Sequence, residues 1–448
     1  MSLRRLFATA LVLLTITAVV AGTRGGRTDR VTIGVVAPLS GARAYLGEEI
    51  KNGVTLAVAE LNRDGGLLGS DVELVVVDDA DLVQLPAQLA RLAERDRVTA
   101  IIGPEAPGIL LSPRSPLARR DVPALLPASF SGDLGEAPAP VVRTIPSAAV
   151  QARTLGWWLT EVREVTDVAV VVADPTEGAA VTDALTEGLR SGGVEDVAVL
   201  EVPASTSRFD PAIGSLRSQA PDAGALLIWA PPPVAARATV AVRRVGWDVQ
   251  LSVPASAFVS EYRTLAGEAS EGVVLAFPFR REWFTGTELM SFLLRYHGEH
   301  GLGALPQLDT LVLDVPVVAT AAYDATKLVA AAVEQAGSAA PRPVGEALDE
   351  VVHDGLLKTY SGLGDGETWE VSELHVARFH HLAITFDVDP RLDPDYHRRF
   401  WRSQVSADYL LEVLEGPALD LARRLIERQG PPPEYTPPLP PPGPVARP

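Results

Sequence analysis

VTIGVVAPLSGARAYLGEEIKNGVTLAVAELNRDGGLLGSDVELVVVDD, residues 31–79, holds one complete strand–helix–strand passage. Its first residues form an apolar run of strand length that ends in a loop at Ser40 and Gly41. A run without polar alternation must be covered on both faces, as happens in a parallel sheet. Ile50, Val54, Ala57, Val58 and Leu61 then recur at steps of three and four, the stripe of a helix lying on a sheet. Gly65 and Gly66 stop that helix, and a second apolar strand runs into Asp78 and Asp79.

The same rhythm continues in both directions from this stretch. A helix is expected through 85–97, a strand at 98–104, another helix, and a strand at 122–130. It restarts after Arg143, with strands near 167–175, 194–204 and 223–233 separated by helices to about Leu189 and at Ile213 to Gln219. Residues 271–279 give a further strand, Leu289 to His300 a helix, 321–337 a long helix, and 373–386 one closing strand. Two successive α/β sets predict two similar lobes, each a parallel sheet flanked by helices.

Bulk properties set limits on function. The 448 residues exceed a single ordinary core, and 47% hydrophobic with 21% charged residues is normal for folded domains. A net charge of −18 repels phosphate backbones, so nucleic acid is not expected as a partner. The absence of cysteine removes disulfides, thiolate metal sites, Cys nucleophiles and a lipid-modified Cys. Arg4 and Arg5 precede an apolar run from Leu6 to Ala21, with small residues at Val19 to Ala21. These are the parts of a secretory signal over 1–22, with an uncleaved anchor as the other reading, and either places the folded part outside the cytoplasm. Residues 388–430 have short helical patterns. Ten of the last eighteen residues are proline, so 431–448 is expected to be extended, without a packed core.

The 31–79 stretch, with Ser40, Gly41, Gly47, Asn52, Gly53, Glu60, Asn62, Gly65, Gly66, Asp78 and Asp79, resembles the opening of the leucine/isoleucine/valine-binding family of type I periplasmic solute-binding proteins. IIGP at 101–104, VVRTIPS at 141–147, Gln151, EGVV at 271–274 and the helix from Tyr323 continue the resemblance to about Thr385. It implies the type I periplasmic-binding fold: two lobes joined by three crossings, closing on a small solute delivered to the permease and ATPase of an ABC importer. Carried onto this chain, lobe one spans 31–143 plus 275–360, and lobe two 144–274 plus 362–387. The crossings fall at Arg143, Thr144 and Pro146, near Val274, and near Gly362. No cofactor, metal or catalysis is implied.

The same resemblance places a ligand among four loops. Tyr45 walls the first, Glu105 and Gly108 lie in the second, and Ala128, Ser129 and Phe130 form the third. Glu177 comes from lobe two. The position that clamps an α-ammonium in amino-acid-binding relatives falls on Ala255. Several of these depart from the family pattern, which points away from branched-chain amino acids and toward another small polar or aromatic solute. A sensor or scaffold built on the same module, with a degenerate pocket, is the alternative. His375, His380 and His381 lack acidic partners at ligand spacing, and no nucleophile elbow or phosphate-binding glycine loop occurs. Asp78 and Asp79 are expected to cap a loop rather than catalyse, and Trp157 and Trp158 to pack in a core.

Overall fold

The computed structural model describes residues 30–104, 107–110, 112, 114–128, 134, 137–173, 178–203, 205–278, 287–300, 315–363, 368–370, 373–380 and 383–387. The leader at 1–22, the extension at 388–430 and the tail at 431–448 lie outside them.

The first half builds β1 (Thr32–Ala37), α1 (Ala44–Arg63), β2 (Glu73–Asp78), α2 (Leu85–Ala90), β3 (Ala100–Ile102), β4 (Ala124–Leu126) and β5 (Val141–Arg143). Its five strands form one parallel sheet in the order β2-β1-β3-β4-β5. Ile33, Val35 and Val36 are fully buried, so β1 is covered on both faces as its unbroken apolar run requires. After α2 the chain widens into a π-helical turn, Arg91–Asp96, rather than continuing as a regular helix. The helix expected between β3 and β4 is replaced, among the described residues, by 3₁₀ turns at Pro107–Ile109 and Ala118–Arg120. Pro104, Pro107, Pro113 and Pro116 remove the amide donors that a helix there would need.

Next come α3 (Ala148–Arg163), β6 (Asp167–Val172), α4 (Gly178–Ser191), β7 (Asp196–Glu201), α5 (Asp210–Gln219), β8 (Ala225–Trp229), α6 (Pro232–Arg244), β9 (Gln250–Ser252), α7 (Ser260–Ala266) and β10 (Val274–Pro278). Helices α8 (Thr287–His300), α9 (Val317–Ala336) and α10 (Pro341–Leu348) follow, then β11 (His353–Asp354), β12 (Thr359–Tyr360), β13 (Leu374–His380) and β14 (Ala383–Asp387). The second sheet has the order β14-β13-β10-β9-β8-β6-β7, parallel from β7 to β10 and antiparallel at β13 and β14. The closing strand expected over 373–386 is thus a hairpin. The alternating pattern of the sequence continues from β13 into β14, and its period does not reveal the reversal.

Helices α8 and α9 return to the first sheet's side, where both pack against α1. The α1–α9 contact is very close: a Cβ on Gly53 would lie 2.1 Å from the Ala319 carbonyl oxygen. Only glycine permits that approach, and small residues Ala319, Ala322, Ala325 and Ala57, all fully buried, continue the seam. Gly53→Ala should therefore cost about 1–3 kcal/mol through overpacking, despite alanine's better helix propensity. Gly214→Ala on α5, where a Cβ meets nothing within 4 Å, is the control and should be neutral or slightly stabilising. Equal denaturation midpoints for the two variants would contradict this account.

Candidate functional site

Two sheets joined by repeated passages of one chain place the functional question at the joint. Arg143 ends β5, and Thr144 leads away from the first sheet. The Thr144 hydroxyl donates to the Ala321 carbonyl of α9 (3.1 Å), and its own carbonyl accepts from the Tyr360 hydroxyl (3.2 Å). The Thr368 hydroxyl donates to the Arg143 carbonyl (2.7 Å). Residues of the first and third expected crossings are therefore side by side, with Gly362 at φ +63° between Tyr360 and Thr368. Val274, read as part of the second crossing, is instead the first residue of β10, paired with Ser252 and Arg378. The chain is still in the second sheet at Pro278 and is back against α1 within α8.

Asp324 of α9 is the centre of this joint. It is fully buried, and its carboxylate accepts the N–H groups of Leu356 (2.7 Å) and Leu357 (2.9 Å) and faces the Tyr360 hydroxyl at 3.2 Å. Gly355 fits beside it because a Cβ there would meet Asp324 Cγ at 2.8 Å and the Tyr360 ring at 2.7 Å. Lys358 seals the outer side. Its ammonium lies 5.0 Å from the Trp369 ring centroid, pairs with Glu373 at 2.6 Å and donates to the Thr368 carbonyl. None of this was legible as a site in the sequence, because Asp324 meets Leu356, Leu357 and Tyr360 only through the fold, and Thr144 lies more than a hundred residues from Ala321 and Tyr360.

On the second-lobe side, Gln151 of α3 does a similar job. Its amide donates to the Pro146 carbonyl (2.8 Å) and accepts from the Ala255 N–H (2.9 Å), tying the end of the first crossing to the 3₁₀ turn Ala255–Ala257. Ala255 is fully buried, and α9 packs on this turn from the other lobe. Ala255 thus presents a methyl group, with its N–H already committed. Ala128 is also fully buried, just beyond β4. Tyr45 is half-buried in the first turn of α1, against the core, and Gly108 is exposed in its 3₁₀ turn. Glu105, Ser129, Phe130 and Glu177 lie outside the described residues.

The loop after β1 is fixed by Asp78, whose Oδ1 accepts from the N–H of Leu39 (2.9 Å) and Ala80 (3.0 Å). Partial burial would raise its pKa. The Ser40 hydroxyl and the backbone N–H groups of Ala80, Leu39 and Ser40 outweigh that and hold it below the usual carboxylate value. Asp78 is a loop cap. Trp158 is a buried core residue flanked by the Arg163 and Arg378 guanidinium groups, each 5.7 Å from its ring centroid. His375 and His380 are residues of β13, paired with Phe277 and Ala383.

The family described as "Periplasmic binding protein" matches residues 30–368. A Leu/Ile/Val-binding protein, BraC3, of Rhizobium johnstonii is 30% identical over 168 residues, 37% of this chain and 46% of that protein. The chain spans about half the length of the first curated relatives it matches. A leucine-, isoleucine-, valine-, threonine- and alanine-binding protein of Pseudomonas aeruginosa is 23% identical over 71% of this chain and 82% of its own. Among solved structures, the substrate-binding protein LivJ of Streptococcus pneumoniae with isoleucine superposes with a TM-score of 0.67 at 18% identity, covering 80% of this chain and 99% of that one. A solute-binding protein of R. palustris with benzoate gives 0.67 at 17% identity, over 80% and 95%.

Removing the Asp324 carboxylate leaves at least two buried N–H donors without their acceptor, each worth about 1–3 kcal/mol. Asp324→Ala should then lose about 3 kcal/mol or more, near 10 °C in melting temperature for a domain of this size. Tyr360→Phe should lose about 1 kcal/mol. Calorimetric melting of both variants checks this, and a loss below 1 kcal/mol for Asp324→Ala contradicts it.

Proposed function

The chain belongs to the periplasmic binding protein family, and from that premise we propose that it is an extracytoplasmic solute-binding protein, capturing a small solute between its two lobes for an ABC importer. The observation that supports this best is the joint. The first and third passages between the sheets meet at one buried cluster around Asp324, the point about which the lobes would rotate. A ligand touching both lobes then shifts the equilibrium toward the closed state by its extra contacts there. The permease and ATPase of the importer are the macromolecular partners in this reading.

The solute we propose is a small polar or aromatic compound without an α-ammonium group. A free amino acid in a closed cleft needs a counter-charge, because leaving its ammonium unpaired costs several kcal/mol. Ala255 has only a methyl group for that position, and its N–H is held by Gln151. Relatives of this fold are found with both kinds of ligand: isoleucine in one structure, benzoate and 3,4-dihydroxybenzoic acid in others. Within the reading, Ser129 donates a hydrogen bond, Tyr45 and Phe130 form apolar walls, and Glu177 closes from the opposite lobe.

A thermal-shift screen of small metabolites, followed by calorimetry, tests it. Leucine, isoleucine and valine should bind weakly or not at all, while a ligand from the screen should lose about 1 kcal/mol with Ser129→Ala. Glu177→Ala should matter for a cationic ligand and little for a neutral one. Micromolar leucine binding unaffected by Glu177→Ala would overturn the substrate assignment. A chain that binds nothing across the screen would favour the sensor reading.

A further inference from the structure

In each parallel sheet the strand beginnings lie at the end away from the joint, since β5 and β10 both leave their sheets toward the other one. These two far ends differ in charge. In the second sheet every parallel strand is led in by an exposed acid: Glu164, Glu195, Asp222, Asp248 and Glu271 precede β6 to β10 in turn. In the first sheet exposed arginines take that place before three strands, with Arg30 ahead of β1, Arg97 ahead of β3 and Arg120 ahead of β4.

Basic residues at the ends of helical turns are ordinary, because they complement the helix dipole and its last carbonyls. At the second sheet's far end they are used in that way. Arg217 donates to the Val245 carbonyl (3.0 Å), Arg243 to the Glu271 carbonyl (2.9 Å), and Arg244 pairs with Asp210 at 2.9 Å. At the first sheet's far end four arginines are also engaged: Arg30 with Glu73, Arg91 with Asp96 at 3.1 Å, Arg119 with Glu94 at 3.5 Å, and Arg342 with Asp121 at 2.8 Å. Arg95, Arg97 and Arg120 are different. They are exposed, and among the described residues no carboxylate pairs with them. The Arg119–Glu94 contact joins the two turns that carry them, Arg91–Asp96 and Ala118–Arg120, so the three charges share one surface. Arg97 holds φ +53°, a conformation that arginine rarely adopts. Asp64 and Asp71 stand with Arg63 at the approach to β2, and Glu346 acts on Arg342, so the positive surplus is confined to the β3–β4 side.

We propose that this arginine surface docks on the anionic headgroups of a lipid bilayer, standing the first lobe on the membrane with the acidic end of the second lobe pointing away. A chain of net charge −18 is repelled by an anionic surface in most orientations, and this one presents its positive surplus while withdrawing its acids. The path of the chain agrees. It enters the fold at Arg30, at this same end, and the apolar run Leu6–Ala21 lies eight residues ahead, with Arg24 and Arg27 between. Eight residues span at most about 28 Å, so an apolar run held in a bilayer keeps the surface within reach of it. Arginines beside such a run bind anionic headgroups. The cleft is at the opposite ends of the strands and stays open to solvent. Docking rests on export in the proposed function and uses none of the solute loops.

The absence of native cysteine makes the test direct. Ala340→Cys, exposed between α9 and α10, reports on the first far end, where Gly345 of α10 lies against Pro140 ahead of β5. Ser218→Cys, exposed at the end of α5, reports on the second. The full chain, one fluorescent label at a time, is reconstituted in vesicles of phosphatidylcholine alone or of phosphatidylcholine with phosphatidylglycerol. Both carry nitroxide-bearing headgroups that quench on contact. The apolar run enters both vesicles, so a difference between them reports headgroup charge. The label at 340 should be quenched more in the phosphatidylglycerol vesicles, and the excess should vanish in about 1 M salt, where the screening length is about 3 Å. The label at 218 should be quenched in neither. Arg95→Gln, Arg97→Asn and Arg120→Gln together should bring the 340 signal down to that of 218. Asparagine tolerates the left-handed backbone and none of the three makes an ion pair, so the melting temperature should hold.

Equal quenching at 340 in the two vesicles overturns the proposal, as does equal quenching at 340 and 218, or an excess that survives the triple substitution in a folded chain. A salt-sensitive rise in sedimentation coefficient without vesicles, together with no excess quenching, would instead assign the surface to the acidic end of a second copy. Solute binding in the thermal-shift screen is read separately, so a chain that binds solute without the excess quenching rejects docking alone.

Discussion

A carboxylate without water has to be held by hydrogen bonds, and Asp324 meets that requirement inside one helix-loop unit. The donors come from Leu356, Leu357 and Tyr360, so its burial fixes the 354–360 segment against α9. The same segment then reaches the first passage through the Tyr360 hydroxyl on Thr144. Losing the carboxylate would disconnect three parts of the chain at once, because a buried N–H with no acceptor has no alternative partner nearby. Where two domains share several connections, such a point confines motion to rotation about it.

Lobe one supplies the rigid body on which that point rests. Helices α1 and α9 approach at Gly53 so closely that their backbones are in contact, and Glu60 adds polar bonds at the far end of the seam. Its carboxylate takes the Tyr323 hydroxyl and pairs with Arg295 at 2.6 Å and Lys327 at 3.3 Å, joining α1, α8 and α9. At the opposite end of the same helix pair, Glu49 accepts from the N–H groups of Val318 and Ala319. These bonds hold the first half of α9 against α1.

The sequence made the repeating layers legible because burial on both faces leaves continuous apolar strands, and because α1 and α9 carry clear helical stripes. The parallel order of β1 to β4 and the restart after Arg143 follow from that rhythm. The stretch after β3 misled, since the strand–helix rhythm calls for a helix there while Pro104, Pro107, Pro113 and Pro116 lack the amide donors. The β13–β14 hairpin was hidden because a reversal within an alternating run does not break the period. At the site, Tyr45, Ala128 and Ala255 were named from resemblance, but the contacts that define the joint were not. Asp324 and Tyr360 look like ordinary members of a helix and a short strand until the fold brings them within 3.2 Å.

Gln151 shows how recognition and mechanics divide between side chains at such a joint. Its single amide spends both functions on the backbone, at Pro146 and Ala255, and so fixes the turn that α9 touches. A backbone N–H used in this way is unavailable to a ligand, and the Ala255 methyl adds no polar group in its place. In the proposed reading, recognition in lobe two falls on other loops, and this turn would bear the movement of the lobes. That separation has a consequence for specificity. Residues that contact solute can change without disturbing the hinge, since the bonds that hold the hinge are made by Asp324, Tyr360, Thr144 and Gln151. Under the proposed function, a chain could thus depart from the amino-acid-binding pattern at its ligand loops and still keep the joint about which its two lobes would close.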